Sequence, residues 1–128
     1  MFNRLRSKVT RTHHSPVTAS LDKGSEFEGK LNFEGTARIG GKFRGEIYTN
    51  DSLIISEGAM VEGRIEADTV VINGEMIGDV MARSRVEIHR PGILRGTIIT
   101  NSLYIEEGVV FEGTTKMIDH IVEASVSP

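Results

Sequence analysis

At 128 residues the chain has room for one domain, and without cysteine it can build neither a disulfide nor a thiolate-metal staple. Aromatics at 5%, no tryptophan and 14 glycines argue against a globule built on large aromatic anchors. No apolar run reaches the roughly 18 residues needed to cross a bilayer, and no signal peptide with an apolar middle opens the sequence. The net charge of −3 divides unevenly: residues 1–21 carry Arg4, Arg6, Lys8 and Arg11 with no acid, and the remainder holds 11 basic against 18 acidic residues.

Residues 1–18 therefore read as a flexible basic tail ahead of an acidic body. From residue 19 the chain repeats itself. SLIISEGAMVEG (residues 52–63) returns as SLYIEEGVVFEG (residues 102–113), but the true period is shorter. A frame of apolar–x–Gly–x–apolar opens at Phe27–Leu31 and recurs at Phe43–Ile47, Val61–Ile65, Met76–Val80, Leu94–Ile98 and Phe111–Thr115. Its glycines, Gly29, Gly45, Gly63, Gly78, Gly96 and Gly113, are 16, 18, 15, 18 and 17 residues apart.

Between frames lies a second apolar pair: Ala19/Leu21, Ala37/Ile39, Leu53/Ile55, Val70/Ile72, Val86/Ile88 and Leu103/Ile105. Alternation at period two predicts strands with one buried face, each only a few residues long, with Gly, Asn, Asp, Ser and Pro at the bends. About 17 residues in three short strands is one coil of a triangular β-solenoid, and no such coil is stable alone. Six coils fill residues 19–116, giving an all-β rod roughly 30 Å long at about 4.8 Å per coil. Residues 117–128 read as a flexible C-terminal tail.

The basic Met-Phe start, the glycine frame and the flanking tails resemble a bactofilin, a bacterial cytoskeletal protein. The resemblance covers the repeats and residues 1–8. It implies a single-stranded, right-handed parallel β-helix that polymerises end to end without nucleotide. It also implies non-polar filaments, attachment to the inner face of the cytoplasmic membrane, and a scaffold role toward unidentified cell-envelope or cell-shape proteins.

Gly24–Leu31 fits G-x-x-x-x-G-K, but Leu31 stands where magnesium needs Ser or Thr, and Glu26 and Glu28 would face the phosphates. The repeat explains these glycines, so no nucleotide or other cofactor is expected. His13, His14, His89 and His120 show no metal-ligand spacing, and His89 reads as a solvated bend residue. The acidic body offers no basic groove for nucleic acid. A solenoid acyltransferase is the rival reading, but coil length is too even for a substrate-enclosing loop and the strict six-residue period is missing. A non-polymerising β-helical adaptor is the third reading. No catalytic or metal residue is assigned.

Two sets of binding residues are expected. A rod exposes unpaired backbone and inward apolar side chains at both ends unless capped, and no polar cap is evident. Phe111, Leu103, Ile105 and Val109 in the last coil, with Phe27 and Leu31 in the first, are the candidate polymer interface. In the tail, Met1, Phe2 and Leu5 would enter a membrane interface while Arg4, Arg6 and Lys8 attract anionic lipid, at about 1 kcal/mol per charge.

Overall fold

The computed structural model describes residues 19–118. Within them the only regular elements are ten strands: β1 Ala19–Leu21, β2 Glu26–Phe33, β3 Ala37–Ile39, β4 Lys42–Thr49, β5 Ser52–Ile55, β6 Met60–Ile72, β7 Glu75–Ile88, β8 Ile93–Thr100, β9 Leu103–Ile105 and β10 Val110–Met117. Every pairing is parallel and every partner is the next coil. The chain forms a β-solenoid of about six turns.

The glycine frame is the alignment of the coils. Gly29 pairs with Gly45, Gly45 with Gly63, Gly63 with Gly78, Gly78 with Gly96 and Gly96 with Gly113. Each has a φ between 132° and 153°, a region that L side chains rarely adopt. A β-carbon on Gly45, Gly63, Gly78, Gly96 or Gly113 would also overlap the carbonyl oxygen of the glycine one coil earlier. Only glycine lets the chain bend here and still stack at ladder distance.

Strands are longer than the few residues expected, reaching 13 in β6 and 14 in β7. The glycine bend does not interrupt backbone pairing, so two sides of the triangle form one continuous strand. In β6 and β7 pairing also continues through the next corner, where the register shifts between Ala67 and Thr69. The uneven glycine spacing has its origin at such corners. Ile39 leads to Phe43 and Ile72 to Met76 by a short corner, whereas Ile55–Val61, Ile88–Leu94 and Ile105–Phe111 each take two more residues.

The core is the stack of inward columns. Leu53, Ile55, Ile65, Val70, Ile72, Met76, Val86, Ile88, Leu94 and Ile98 are between 0% and 1% exposed. Full burial of such side chains contributes roughly 1.5–3 kcal/mol each, and each column depends on the coils above and below for it. The ladder extends beyond residue 116: Met117 pairs with Thr100, and the Ile118 N–H donates to the Thr100 carbonyl at 3.1 Å.

Candidate assembly surfaces at the rod ends

Where a column ends, burial falls. In the first coil Phe27 and Leu31 are half-buried, although Phe43 and Ile47 directly beyond them are 2% and 0% exposed. Phe27 lies on Phe43 in a stacked pair, ring centroids 5.4 Å apart and planes 8° apart, and no described coil lies on its other ring face. In the last coil Leu103 and Ile105 are half-buried, whereas Val86 and Ile88 beneath them are at 0%. Val109 and Phe111 are better covered, at 5% and 7%. All six expected interface residues belong to the core cluster or pack against it, in one group at each end. Tyr104 and Val110 add exposed apolar surface on the last coil, at 47% and 43%.

The last coil has one feature that the repeat pattern does not announce. Thr115 pairs with Ile98 and continues the column Leu31, Ile47, Ile65, Val80, Ile98, yet it carries a hydroxyl. It is 4% exposed, and its Oγ1 has no hydrogen-bond partner among the described residues. The break from aliphatic to threonine in an otherwise apolar column was the available signal.

The sides of the rod are charged. Outward residues pair across coils: Arg44 with Glu62 at 3.4 Å, Lys30 with Glu46 at 3.8 Å, and Arg95 with Glu112 at 3.1 Å and Glu75 at 3.8 Å. These exposed pairs contribute little to stability and keep the flanks hydrated. The Tyr48 hydroxyl donates to Glu46 at 2.9 Å, which raises its pKa above the usual phenol value.

His89 lies at a bend, as expected, with a half-buried ring that has partners rather than one free in solvent. Its Nε2 lies 2.9 Å from Glu87 and its Nδ1 3.6 Å from Glu106, with the ring tilted against Tyr104. Glu106 also accepts the Arg90 backbone N–H at 2.8 Å, and that bond leads the influences holding its carboxyl below the usual range. This cluster fastens the last coil to the one before it. Among the described residues no group of His, Asp or Glu has the arrangement to hold a metal ion.

Gly24–Lys30 is a turn followed by a strand: the Ser25 N–H bonds the Asp22 carbonyl, and β2 starts at Glu26. A phosphate loop would need a helix there. An open groove lined by Glu26, Phe27, Glu28, Lys42, Phe43, Arg44, Met60 and Glu62 contains no hydroxyl, thiol or imidazole nucleophile. No described helix is long and apolar enough to cross a membrane. Met1, Phe2, Arg4, Leu5, Arg6 and Lys8 lie outside the described residues.

A stack of parallel coils with charged flanks, and with half-buried apolar residues in its first and last described coils, defines a β-solenoid. Residues 19–116 match the bactofilin family, polymer-forming cytoskeletal proteins, and the chain belongs to that family. Among curated relatives it is similar to the bactofilins BacP and BacO of Myxococcus xanthus (strain DK1622). Identity is 25% over 91 residues of BacP and 28% over 90 residues of BacO, in each case about 70% of this chain. The matched part spans 38% of BacP and 71% of BacO. Among solved structures it is similar to a Thermus thermophilus bactofilin in double helical filaments, with a TM-score of 0.73 and 29% identity over 77% of this chain and 97% of that one. The cytoskeletal bactofilin BacA gives 0.70 and 25%, over 78% and 95%.

Proposed function

We propose that this chain is a non-enzymatic scaffold that polymerises end to end without nucleotide into non-polar filaments. In this reading the filaments lie on the inner face of the cytoplasmic membrane and position cell-envelope or cell-shape proteins. The observation that carries the reading is the contrast along single columns. Leu103 and Ile105 are half-buried where Val86 and Ile88 are fully buried, and Phe27 and Leu31 show the same loss at the other end. A second rod end supplies the missing coil. Phe111, Leu103, Ile105 and Val109 then form one joint, and Phe27 and Leu31 the other. If like ends meet, each joint is isologous, and two isologous joints on one rod generate an open chain without polarity.

Membrane attachment draws on the charge asymmetry of the sequence. The tail carries Arg4, Arg6 and Lys8 beside Met1, Phe2 and Leu5 and no acid, whereas the body is acidic. One tail binds weakly, but a polymer presents many at once. The cytoskeletal description of the family supports a structural rather than a catalytic role.

Electron microscopy of the purified chain without nucleotide is the test. Filaments are expected, with polymer mass by light scattering unchanged by ATP or GTP with magnesium. Discrete particles, or scattering that rises only with triphosphate, overturn the reading.

A further inference from the structure

Cover is lost unevenly at the last coil. On two sides of the triangle its inward residues are already enclosed, Val109 at 5%, Phe111 at 7% and Thr115 at 4% exposure. On the third side, β9, Leu103 and Ile105 are half-buried over a fully buried Val86 and Ile88. Among the described strands β9 pairs only with β7, so its other edge offers unpaired backbone groups. The opening is one strand wide, apolar beneath and hydrogen-bonding along its edge.

The sequence that follows has the pattern of such a strand. The ladder still runs at Ile118, whose N–H donates to the Thr100 carbonyl at the corner where, one coil earlier, β8 passes into β9. Beyond it Val122, Ala124 and Val126 alternate with Glu123, Ser125 and Ser127, the period-two signature of a strand with one buried face. At this corner two residues separate the inward positions Ala67 and Val70, and likewise Thr100 and Leu103. Three separate Thr49 from Leu53 and Ala82 from Val86. Four would separate Met117 from Val122, at a corner where the ladder already absorbs a register shift.

We propose that residues 122–126 add a parallel strand to the open edge of β9, with Val122 over Leu103 and Ala124 over Ile105, as a removable cap on the last coil. Main-chain bonds along the edge and alternate side chains in the apolar opening are how an extended segment joins a sheet. The short tether from Met117 keeps the segment at high effective concentration. Such a cap occupies surface that the joint between rods needs, so the chain's own strand and a second rod compete for Leu103 and Ile105. This competition rests on the end-to-end reading above; the strand itself does not. Closed ends then set the concentration at which filaments appear.

The full-length chain contains no cysteine, so a designed pair supplies its only thiols. Leu103→Cys/Val122→Cys, diluted below the concentration for assembly and oxidised with diamide, is expected to close an intramolecular disulfide. Neighbouring strands would hold the two Cα atoms within the roughly 4.4–6.8 Å that a disulfide spans. Leu103→Cys/Glu123→Cys, with its second thiol on the outward face, should close far more slowly. Mass spectrometry after alkylation reads both. Equal yields, or covalent dimers in place of the intramolecular bond, overturn the capping strand. Hydrogen exchange on the unaltered chain at the same dilution is the second measurement. Protected amides over 122–126 are expected, and exchange at the rate of free peptide overturns the strand.

A cap closed about nine-tenths of the time leaves about one end in ten competent, so deleting residues 119–128 should lower the critical concentration about tenfold. An unchanged critical concentration, with the disulfide formed, overturns the competition. Wild-type protein without filaments removes the end-to-end reading instead, and the disulfide and exchange results then decide the strand alone.

Discussion

The middle of the rod and its ends are made from the same repeat and differ in how completely their inward columns are covered. At Val61 a side chain is 1% exposed with Phe43 on one side and Met76 on the other. At Phe111, in the same column, Leu94 lies on one side and no further coil is described on the other. Repetition guarantees that whatever stabilises a central coil is half missing at a terminal one. The ends of a solenoid therefore acquire a binding function by default unless something caps them.

The sharpest way to break this comparison is to place the same charge at both positions. Val61→Arg is expected to abolish folding, because an unpaired cation is enclosed by coils on both sides at a cost of several kcal/mol. Circular dichroism reads the loss. Phe111→Arg should keep the β-rich spectrum, since an arginine at the rod end can lift its guanidinium into water. Analytical ultracentrifugation should then find short species in place of filaments. Filaments of normal length from Phe111→Arg would remove that residue from the joint.

The glycines allow a second comparison. Gly63→Ala and Gly29→Ala share the unfavourable φ, on the order of 1–3 kcal/mol. Gly63→Ala must in addition displace the Gly45 carbonyl, whereas a β-carbon on Gly29 meets only the Phe27 ring, at 3.5 Å. Thermal unfolding should show the larger loss for Gly63→Ala. Equal losses would mean that backbone stacking does not govern the glycine frame.

Deleting residues 1–8 should leave assembly unchanged and remove co-sedimentation with anionic vesicles. Within the tail, Phe2→Ala should weaken lipid binding more than any single Arg→Ala, because charges at the rim are partly redundant and screened by salt. Undiminished pelleting of the truncated chain would exclude the tail as anchor.

The smallest effect belongs to Glu106. Folding favours its ionised form, so its contribution is present above the ordinary carboxylate range and disappears as pH falls through its own lowered value. Glu106→Gln should lower the thermal midpoint slightly at neutral pH and not at all once wild-type Glu106 is protonated. A difference that persists in acid would point to lost hydrogen-bond geometry rather than lost charge.

The solenoid could be read from Gly29, Gly45, Gly63, Gly78, Gly96 and Gly113 because each inward column is a linear record of one contact repeated along the chain. Strand ends were less readable. Pairing in β6 and β7 continues through a corner between Ala67 and Thr69, and nothing in one sequence separates a bend that keeps its ladder from one that breaks it. The ion-pair partners of His89 are hidden in the sequence for a related reason. Glu87 and Glu106 lie on different coils, and the second becomes a neighbour only after a full turn. Thr115 was passed over because a polar residue at the end of an apolar column looks like the end of the pattern. Its buried, unpartnered hydroxyl is visible only in three dimensions.

The parallel ladder has a consequence for how such material would look to an X-ray beam. Strands in a solenoid run across the long axis of the rod, and successive coils repeat along it at about 4.8 Å, the spacing that defines cross-β diffraction. Amyloid reaches that geometry by stacking many copies of a short segment. Here one chain supplies its own rungs, in a number fixed by its sequence. Aligned fibres of the folded protein should therefore give the 4.8 Å axial reflection of amyloid, which for this protein is a mark of the native state and not of misfolding.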